Sequence, residues 1–423
     1  MLQINFIKEN RQLALDGLHK KNFKNAEVAI DTAIQLDQKR KDTQVELDNA
    51  LAKANTLAKH IGGLMKEGKK EEAETAKTET ASLKILSKDL EEQLQGIELE
   101  LQNLMVTIPN LPHSSVPAGK TPEENEEIYS HGEIPTLPAN AQAHWDLIKK
   151  YDIIDFELGN KIAGAGFPVY KGKGAKIQRA LINFFLNEAD AAGYTEVQPP
   201  IMINAASGFG TGQLPDKEGQ MYHAVADDLY LIPTAEVPVT NMYRDVILTD
   251  AELPVKNTAY TPCFRREAGS WGAHVRGLNR LHQFDKVEIV QIRKPEESYA
   301  ALEEMLEHVK GLLEKLNLPY RVLRLCGGDM SFTSALTYDL EVFSAAQQRW
   351  LEVSSVSNFE TYQSNRLKLR NKTEGKMQLL HTLNGSALAL PRILAAILEN
   401  NQTDAGINIP QVLIPYCGFD KIS

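Results

Sequence analysis

A proline-free stretch, residues 26–105, restricts the fold of this 423-residue chain more than any other feature. Its apolar residues recur at alternate spacings of three and four, which is the heptad pattern of packed helices. The repeat occurs twice, and Ser87 interrupts it once. Its positions are Leu47, Leu51, Ala54, Ala58, Ile61 and Met65 in the first segment and Leu83, Leu90, Leu94, Ile97, Leu101 and Leu104 in the second. The sequence therefore predicts two long helices that share an apolar seam.

Between the two heptad segments lie residues that favour a turn. They are Gly62, Gly63, Gly68, Lys66, Lys69 and Lys70. We therefore predict an antiparallel helical hairpin. At ~1.5 Å per residue each helix is about 50–60 Å long, so we expect the hairpin to project into solvent as an arm. A dimerising coiled coil satisfies the same heptads and is the alternative.

Six prolines between residues 109 and 138 indicate a linker that runs along a surface, because proline blocks helix formation. We predict a helical arm over residues 1–110 and a second domain over 111–423. There, strand-like runs without regular βαβ alternation mix with amphipathic helices, which indicates an α+β fold on a mainly antiparallel sheet flanked by helices. The predicted strands include residues 194–197, 228–232, 282–292 and 319–325, and the predicted helices include 175–192 and 296–316.

The net charge of −10 at first argues against a nucleic-acid partner, whose phosphates attract cations. Residues 1–110, however, are nearly neutral, with 16 basic and 18 acidic residues and several basic clusters. Charges act over only about 8 Å at physiological salt, so the clusters can act locally. A polyanionic partner is therefore compatible with the arm.

Bulk features favour a reducing, cytoplasmic environment. The cysteines, Cys263, Cys326 and Cys417, are odd in number and far apart, which fits neither a disulfide framework nor a CxxC metal pair. The N-terminus lacks the basic and apolar regions of a signal peptide, and no run approaches the roughly 18 apolar residues of a membrane span. We expect neither export nor membrane insertion.

Familiar nucleotide-binding and metal-binding motifs are absent from the sequence. Residues 164–166 lack the third glycine of GxGxxG, and residues 172–174 are not followed by the Ser or Thr of a P-loop. Neither HExxH nor a paired His/Cys cluster occurs, so no zinc site is expected. Any ATP site must be of another kind.

The densest group of polar residues lies between residues 264 and 290 and is interpreted as strand, loop and strand. Alternation at period two places Arg265 and Glu267 on one face of the first strand. It places Phe284, Lys286 and Glu288 on one face of the second. Such a face can hold a phosphate through arginine, a purine through phenylalanine and an ammonium through glutamate. A solvated hairpin held by cross-strand ion pairs is the alternative.

Four segments resemble the motifs of a known enzyme family. FRxEAGS at residues 264–270 and GLxRxHQFxKVE at 277–288 resemble motif two of the class II aminoacyl-tRNA synthetases, in the form found in the seryl-tRNA synthetase family. Residues 382–392 resemble motif three, and residues 193–200 resemble motif one, which lies at the family's dimer interface. The helical hairpin and the proline-rich junction match as well, so the resemblance covers the whole chain.

The resemblance implies a two-step reaction, in which serine attacks the α-phosphorus of ATP and the seryl group then passes to the 3′ end of tRNA(Ser). Arg265 would hold the α-phosphate, Phe284 would stack on adenine, and Arg392 would hold the γ-phosphate. Arg265, Glu267 and Arg392 are the implied catalytic residues. The implied ATP-binding residues are Arg265, Arg266, Glu267, Leu281, His282, Gln283, Phe284, Glu352, Val353, Ser354, Ser355 and Arg392.

Arg392 is unusual on physical grounds as well. It follows Pro391 at the expected start of an apolar helix, where a cation opposes the helix dipole at a cost of ~0.3–1 kcal/mol. An anionic ligand there would reverse the sign, and a surface arginine is the alternative. By the resemblance, Glu352 and Ser355 would coordinate a Mg²⁺ ion that bridges the phosphates. Mg²⁺ usually takes only one or two oxygen ligands from protein.

The resemblance also implies a set of serine-binding residues. They are Thr234, Ala235, Glu236, Glu267, Glu288, Asn384 and Ser386. A site built to hydrogen-bond the serine hydroxyl discriminates by ~10⁴ or more against a substrate that lacks it. An ordinary helix N-cap explains Thr234 and Glu236 equally well, and both interpretations can hold together.

In the family, dimerisation is part of function, because the arm of one subunit grips a tRNA whose 3′ end enters the active site of the other. We therefore expect a homodimer with L-serine, ATP and tRNA(Ser) as partners, and leave open whether tRNA(Sec) is charged. One alternative is a ligase that adenylates an amino acid for a carrier protein. Another is a non-catalytic coiled-coil protein, which the retained charged residues disfavour.

Overall fold

The computed structural model describes residues 1–267 and 276–423, and the chain forms two compact units, residues 1–109 and 110–423. The helices of the first unit are α1 Ile4–Glu9, α2 Arg11–Lys20, α3 Ala26–Lys66 and α4 Lys70–Met105. α3 and α4 pack against each other around a short turn, which confirms the antiparallel hairpin. At ~1.5 Å per residue they are about 54–62 Å long.

The turn of the hairpin is shorter than the sequence suggested. It comprises residues 67–69, and Gly68 has a φ of 76°, which glycine adopts without steric cost. Gly62 and Gly63 lie inside α3 instead. A Cβ atom at either position would meet nothing within 4 Å, so these glycines serve no close approach.

The buried seam follows the predicted heptads in α4 but only half of them in α3. The α3 seam is Leu47, Ala50, Ala54, Leu57, Ile61 and Leu64, whereas the predicted Leu51, Ala58 and Met65 are exposed. Each of the common positions 47, 54 and 61 is followed by an apolar residue both three and four positions later. Only contact with α4 therefore decides which of these two residues is buried. Ser87 lies in the seam as predicted and donates its hydroxyl hydrogen to the carbonyl of Leu83 at 2.9 Å.

A buried carboxylate joins α1 to α3. Asp37 is fully buried and accepts hydrogen bonds from Lys8 at 2.9 Å and Arg40 at 3.0 Å, while Lys41 lies 3.3 Å away. Burial alone would raise the pKa of Asp37, but the three cations outweigh it and hold the pKa below its usual value. The carboxylate therefore stabilises the helical unit in its ionised form.

The second unit contains the helices and strands from residue 126 onward. Its helices are α5 His144–Lys150, α6 Phe156–Ile162, α7 Gly172–Ala191, α8 Ala205–Thr211, α9 Glu236–Asn241, α10 Ser298–Lys315, α11 Thr361–Leu367, α12 Leu390–Asn400 and α13 Ile414–Cys417. Its strands are β1 Glu126–His131, β2 Ile154–Asp155, β3 Val169–Tyr170, β4 Thr195–Glu196, β5 Met202–Asn204, β6 His223–Ala224, β7 Leu229–Leu231, β8 Ile247–Leu248, β9 Val255–Phe264, β10 Gln283–Arg293, β11 Tyr320–Arg324, β12 Leu336–Ser344, β13 Arg349–Asn358, β14 Arg370–Thr373, β15 Lys376–Leu379, β16 His381–Ala389, β17 Gln402–Thr403, β18 Gly406–Asn408 and β19 Lys421–Ile422.

The main sheet has the strand order β1-β11-β12-β13-β16-β10-β9-β4 within the described residues. Its neighbours are antiparallel except for β4 and β9, which are parallel. α7, α10 and α12 contribute apolar residues to one core with the sheet. The predicted α+β architecture is confirmed, and β4, β7, β10 and β11 coincide with the predicted strands.

The proline-rich stretch differs from the prediction in one respect. It contains β1, which pairs with β11 at the edge of the main sheet. All six residues of β1 are exposed, so the strand has no alternation of apolar and polar residues that the sequence could reveal. The rest of the stretch is largely irregular, as expected.

Cys263, Cys326 and Cys417 are free and buried. No helix in the two described ranges has the length and apolar character needed to cross a membrane.

Replacing Asp37 with Asn should loosen the contact between α1 and α3, because three cations lose their ionised partner. Hydrogen–deuterium exchange of residues 4–9 in the full chain should accelerate at least tenfold at pH 7. Since the folded pKa of Asp37 is lowered, its stabilisation is present above the ordinary carboxyl pKa and is lost as the pH falls through the folded value. Asp48→Asn, at an exposed position of α3, is the control, and equal exchange in both variants would contradict this role.

Candidate active site

Three neighbouring strands bring the sequence motifs together. In the register of the sheet, Phe284 of β10 lies opposite Cys263 of β9, and Glu288 of β10 lies opposite Ser386 of β16. The segments that resemble motifs two and three are therefore adjacent, although about 100 residues separate them along the chain.

A cleft of about 160 Å³ is bounded by the ends of these strands, by β13 and by the start of α12. The predicted residues that line it are Arg265, Glu267, Leu281, Phe284, Glu352, Val353, Ser354, Ser386 and Arg392. The other predicted residues, which lie outside its lining, are Arg266, His282, Gln283, Ser355, Thr234, Ala235, Glu236, Glu288 and Asn384. The cleft is also lined by Leu278, Asn279, Arg280 and Lys286, which were not predicted as site residues.

Arg265 and Phe284 form one wall of the cleft. The guanidinium carbon of Arg265 lies 5.2 Å from the centre of the Phe284 ring, and the backbone N–H of Arg265 donates to the carbonyl of His282 at 2.9 Å. The two residues thus present a cation and an aromatic surface side by side, which suits a nucleotide.

The predicted first strand ends earlier than expected. β9 stops at Phe264, and Glu267 has a φ of 47°, so strand alternation does not align Arg265 with Glu267. Glu267 lines the cleft instead with this positive φ, and it accepts a hydrogen bond from Arg280 at 2.6 Å. Ala268, Gly269, Ser270 and Gly272 of the same motif lie outside the described residues.

Arg392 lies in the first turn of α12, directly after Pro391, as predicted. Its guanidinium donates to the backbone carbonyl of Glu352 at 2.6 Å and to that of Asn279 at 3.1 Å, and it lies 3.4 Å from the Glu352 carboxylate. These acceptors offset the unfavourable position of a cation at a helix N-terminus.

Behind Arg392, a buried polar network connects four segments of the second unit. Glu399 of α12 accepts hydrogen bonds from His144 at 2.6 Å and from Gln347 at 2.9 Å, and the Gln347 side chain accepts one from Asn279 at 3.1 Å. His144 Nε2 accepts the backbone N–H of Leu278 at 2.8 Å, so Nδ1 carries the hydrogen that is donated to Glu399. The network fixes residues 278 and 279, and the backbone carbonyl of Asn279 accepts the hydrogen bond from Arg392.

A second buried polar group centres on Glu288. Its carboxylate lies 2.5 Å from the Lys286 ammonium and accepts hydrogen bonds from Asn384 at 2.8 Å and Thr234 at 3.3 Å. Lys286 also donates to Thr234 at 2.9 Å. Strand alternation puts Lys286 on the same face as Glu288, but it does not show that Lys286 belongs to the site. Both residues are buried, so each charge requires the other, and burial is a tertiary property that the sequence does not display.

Glu236 lies at the start of α9 and is buried. Burial raises its pKa to about 7, although a hydrogen bond from Gln363 acts in the opposite direction. The backbone N–H of Glu236 donates to the Thr234 hydroxyl at 3.3 Å. The N-cap of α9 is Ala235, however, and the helix has no side-chain capping hydrogen bond, so the N-cap interpretation of Thr234 is wrong. Ala235 packs its side chain in an apolar cluster and can offer only its backbone to a ligand.

The serines of β13 and β16 differ in their surroundings. Ser354 is buried and donates to the carbonyl of Ser386 at 2.5 Å. Ser355 is half-buried and hydrogen-bonds Asp339 of β12, the residue opposite it. Burial, followed by the nearby charge of Glu352, raises the pKa of Asp339 well above its usual value.

Comparisons with known proteins agree with this arrangement. Residues 1–112 match the family model of the seryl-tRNA synthetase N-terminal domain, and residues 222–401 match that of the tRNA synthetase class II core domain (G, H, P, S and T). A serine--tRNA ligase from Salinibacter ruber is 48% identical and one from Chlorobium luteolum is 43% identical, each over 100% of this chain and 99% of its own length.

Solved structures give the same result. The seryl-tRNA synthetase of Pyrococcus horikoshii, solved with ATP, superposes with a TM-score of 0.93 at 31% identity over 100% of this chain and 99% of its own. The cytoplasmic serine--tRNA ligase of Naegleria fowleri, solved with AMP, has a TM-score of 0.88 at 24% identity over 100% and 99%, which supports the fold. The identities and their full-length coverage confirm the resemblance in the sequence motifs, and the chain belongs to the seryl-tRNA synthetase family of class II aminoacyl-tRNA synthetases.

Proposed function

We propose that this chain activates L-serine with ATP to form seryl-adenylate and pyrophosphate, and then transfers serine to the 3′ end of tRNA(Ser). The observation that carries the proposal is the cleft itself, where Arg265 lies against Phe284 at one wall and Arg392 lies at another. Fixed cations at two walls suit a polyphosphate, and the buried carboxylate of Glu288 lies on β10, the strand that also carries Phe284.

In the first step, Arg265 stabilises the negative charge that develops on the α-phosphate as the serine carboxylate attacks. Phe284 stacks on adenine, and Arg392 holds the γ-phosphate. The hydrogen bonds from Arg392 to two backbone carbonyls support this role, because they set the guanidinium in place before the ligand arrives.

The oxygen donors beside Arg392 fit a Mg²⁺ ion. Glu352 offers an exposed carboxylate and Ser355 a hydroxyl, and among the described residues Asp339 Oδ1, which is buried near them, has no hydrogen-bond partner. No group of three His, Cys, Asp or Glu residues in the described ranges could hold a metal by itself. Glu352 and Ser355 would therefore hold the ion jointly with ATP phosphates, and the ion would neutralise phosphate charge.

Serine selectivity follows from the buried polar groups around Glu288 and Glu236. Glu288 of β10 lies opposite Ser386 of β16 in the register of the sheet, and Asn384 donates to the Glu288 carboxylate at 2.8 Å. A substrate hydroxyl would pair with these groups, whereas alanine would leave them unpaired. Glu236 and Glu267 would meet the substrate ammonium.

We further propose that the arm binds the tRNA and that two chains form a cytoplasmic homodimer. The arm of one chain would bind a tRNA whose 3′ end enters the cleft of the other. The match of residues 1–112 to the seryl-tRNA synthetase N-terminal domain supports tRNA over a carrier protein as the acceptor. The tip of the hairpin is its most remote part from α1 and α2 and offers exposed lysines to phosphates.

ATP–pyrophosphate exchange with each of the twenty amino acids tests the first step. Exchange should depend on serine, and charging of total tRNA should then label tRNA(Ser). Absence of serine-dependent exchange would overturn the proposed function, whereas exchange without charging of tRNA would favour a carrier-protein acceptor. The same charging assay, run with tRNA(Sec), decides whether that tRNA is also a substrate.

Replacing Arg265 with Ala should reduce exchange at least a hundredfold, because the α-phosphate loses its fixed cation. Arg324→Ala, at the ion pair with Glu126 on the sheet edge, is the matched control and should keep normal exchange. Normal exchange by a folded Arg265→Ala protein would refute the role of Arg265.

Deleting residues 51–86 and closing the shortened hairpin with a glycine-rich loop should separate the two steps. The deletion keeps α1, α2 and the base of α3 and α4, so exchange should stay within about twofold of the intact chain. Charging of tRNA should fall at least tenfold, because distal phosphate contacts are lost. Charging at the normal rate would mean that the arm does not bind tRNA.

A further inference from the structure

Gln363 is a buried amide that no sequence motif singled out. It lies on α11 and is 1% exposed, and its side-chain NH₂ donates to the Glu236 carboxylate at 2.6 Å. Glu236 is itself buried at the start of α9. The short distance and the burial of both groups make this a strong hydrogen bond, and it is strongest when the carboxyl is ionised.

The orientation of the Gln363 amide is fixed from both ends. Its NH₂ group also donates to the backbone carbonyl of Thr211 at 3.2 Å, and its oxygen accepts the hydroxyl hydrogen of Thr382 at 2.7 Å. A backbone carbonyl can only accept, so the NH₂ group must face Thr211 and Glu236. The donor to Glu236 is therefore held by β16 and α8, and it does not depend on a ligand.

The charges around Glu236 make this donor important. Glu288 and Lys286 of β10 and Arg265 after β9 act on Glu236 through space, and burial raises the pKa of Glu236 to about 7. Arg366 of α11 is directed to backbone carbonyls of α8 and the following loop. The hydrogen bond from Gln363 lowers the pKa of Glu236, so its loss would favour the protonated, neutral carboxyl further at pH 7.

We propose that Gln363 is a positioning residue that keeps the Glu236 carboxylate ionised and directed at the ammonium group of the substrate. This inference rests on the proposed function, in which Glu236 binds that ammonium. Gln363 itself does not touch the substrate. It would let the site distinguish serine from an analogue that keeps the carboxylate and the hydroxyl but lacks the ammonium group.

Replacing Gln363 with Met keeps the volume but removes the donor. At pH 7 the KM for serine in exchange should rise about tenfold or more, while kcat and the KM for ATP stay within about threefold. Because loss of the donor raises the pKa of Glu236, the acid limb of the kcat/KM profile for serine should move to higher pH by about one unit. The defect should shrink at pH 9, where Glu236 is ionised again.

The deamino analogue 3-hydroxypropionate separates positioning from a collapse of the pocket. Its inhibition constant against serine should be the same for the intact chain and for Gln363→Met, since it has no ammonium group. Gln402→Met, another buried amide, is the matched control and should leave the KM for serine unchanged. An unchanged serine KM in Gln363→Met, or equal loss of serine and of the analogue, would overturn the proposal.

Gln363→Glu provides a second, nearly isosteric variant. It places a second carboxyl against Glu236, so the two carboxyls share a proton and titrate as a pair, and the acid limb for serine should move to higher pH than in the intact chain. Retention of the original acid limb would contradict the proposal. Failure of the proposed function has a different signature, because the intact chain would then show no serine-dependent exchange.

Discussion

The pairing of β10 with β9 on one side and β16 on the other is the constraint on which the candidate site depends. It places Phe284 beside the end of β9, and it places Glu288 opposite Ser386. A shift of one residue in either register would move these side chains to the opposite face of the sheet. Buried Val287 and Ile289, which alternate with them, oppose such a shift because it would carry them out of the core.

This register also gathers charges that cannot be buried singly. Lys286 and Glu288 are each nearly inaccessible, and Thr234 and Asn384 complete their hydrogen bonds. Burial raises the pKa of Glu236, the hydrogen bond from Gln363 of α11 lowers it, and the charges of Glu288 and Lys286 act on it less strongly and in opposite directions. Lys286, Glu288 and Glu236 therefore form one electrostatically linked group, whereas Arg392 is held at the cleft by backbone carbonyls and by the network that fixes one of them.

Sequence periodicity predicted the elements better than it predicted their contacts. The two long helices follow from the heptads of residues 26–105. Leu51, Ala58 and Met65 are nevertheless exposed, because the apolar residue that precedes each of them packs against the partner helix instead. β1 escaped prediction because all of its residues are exposed. Glu267 lines the cleft with a positive φ and not through strand alternation, and the alternation of polar and apolar residues does not reveal such a backbone conformation.

The sequence by itself determined the family, the α+β class, the hairpin and most residues of the cleft, because motifs and periodicity are local properties of the chain. The tertiary structure alone decided which polar groups are buried together. Lys286, Asn279 and Gln363 are ordinary polar residues in the sequence, and they acquire their importance from partners between 2 and 152 positions away. Burial and orientation arise only when those distant segments meet.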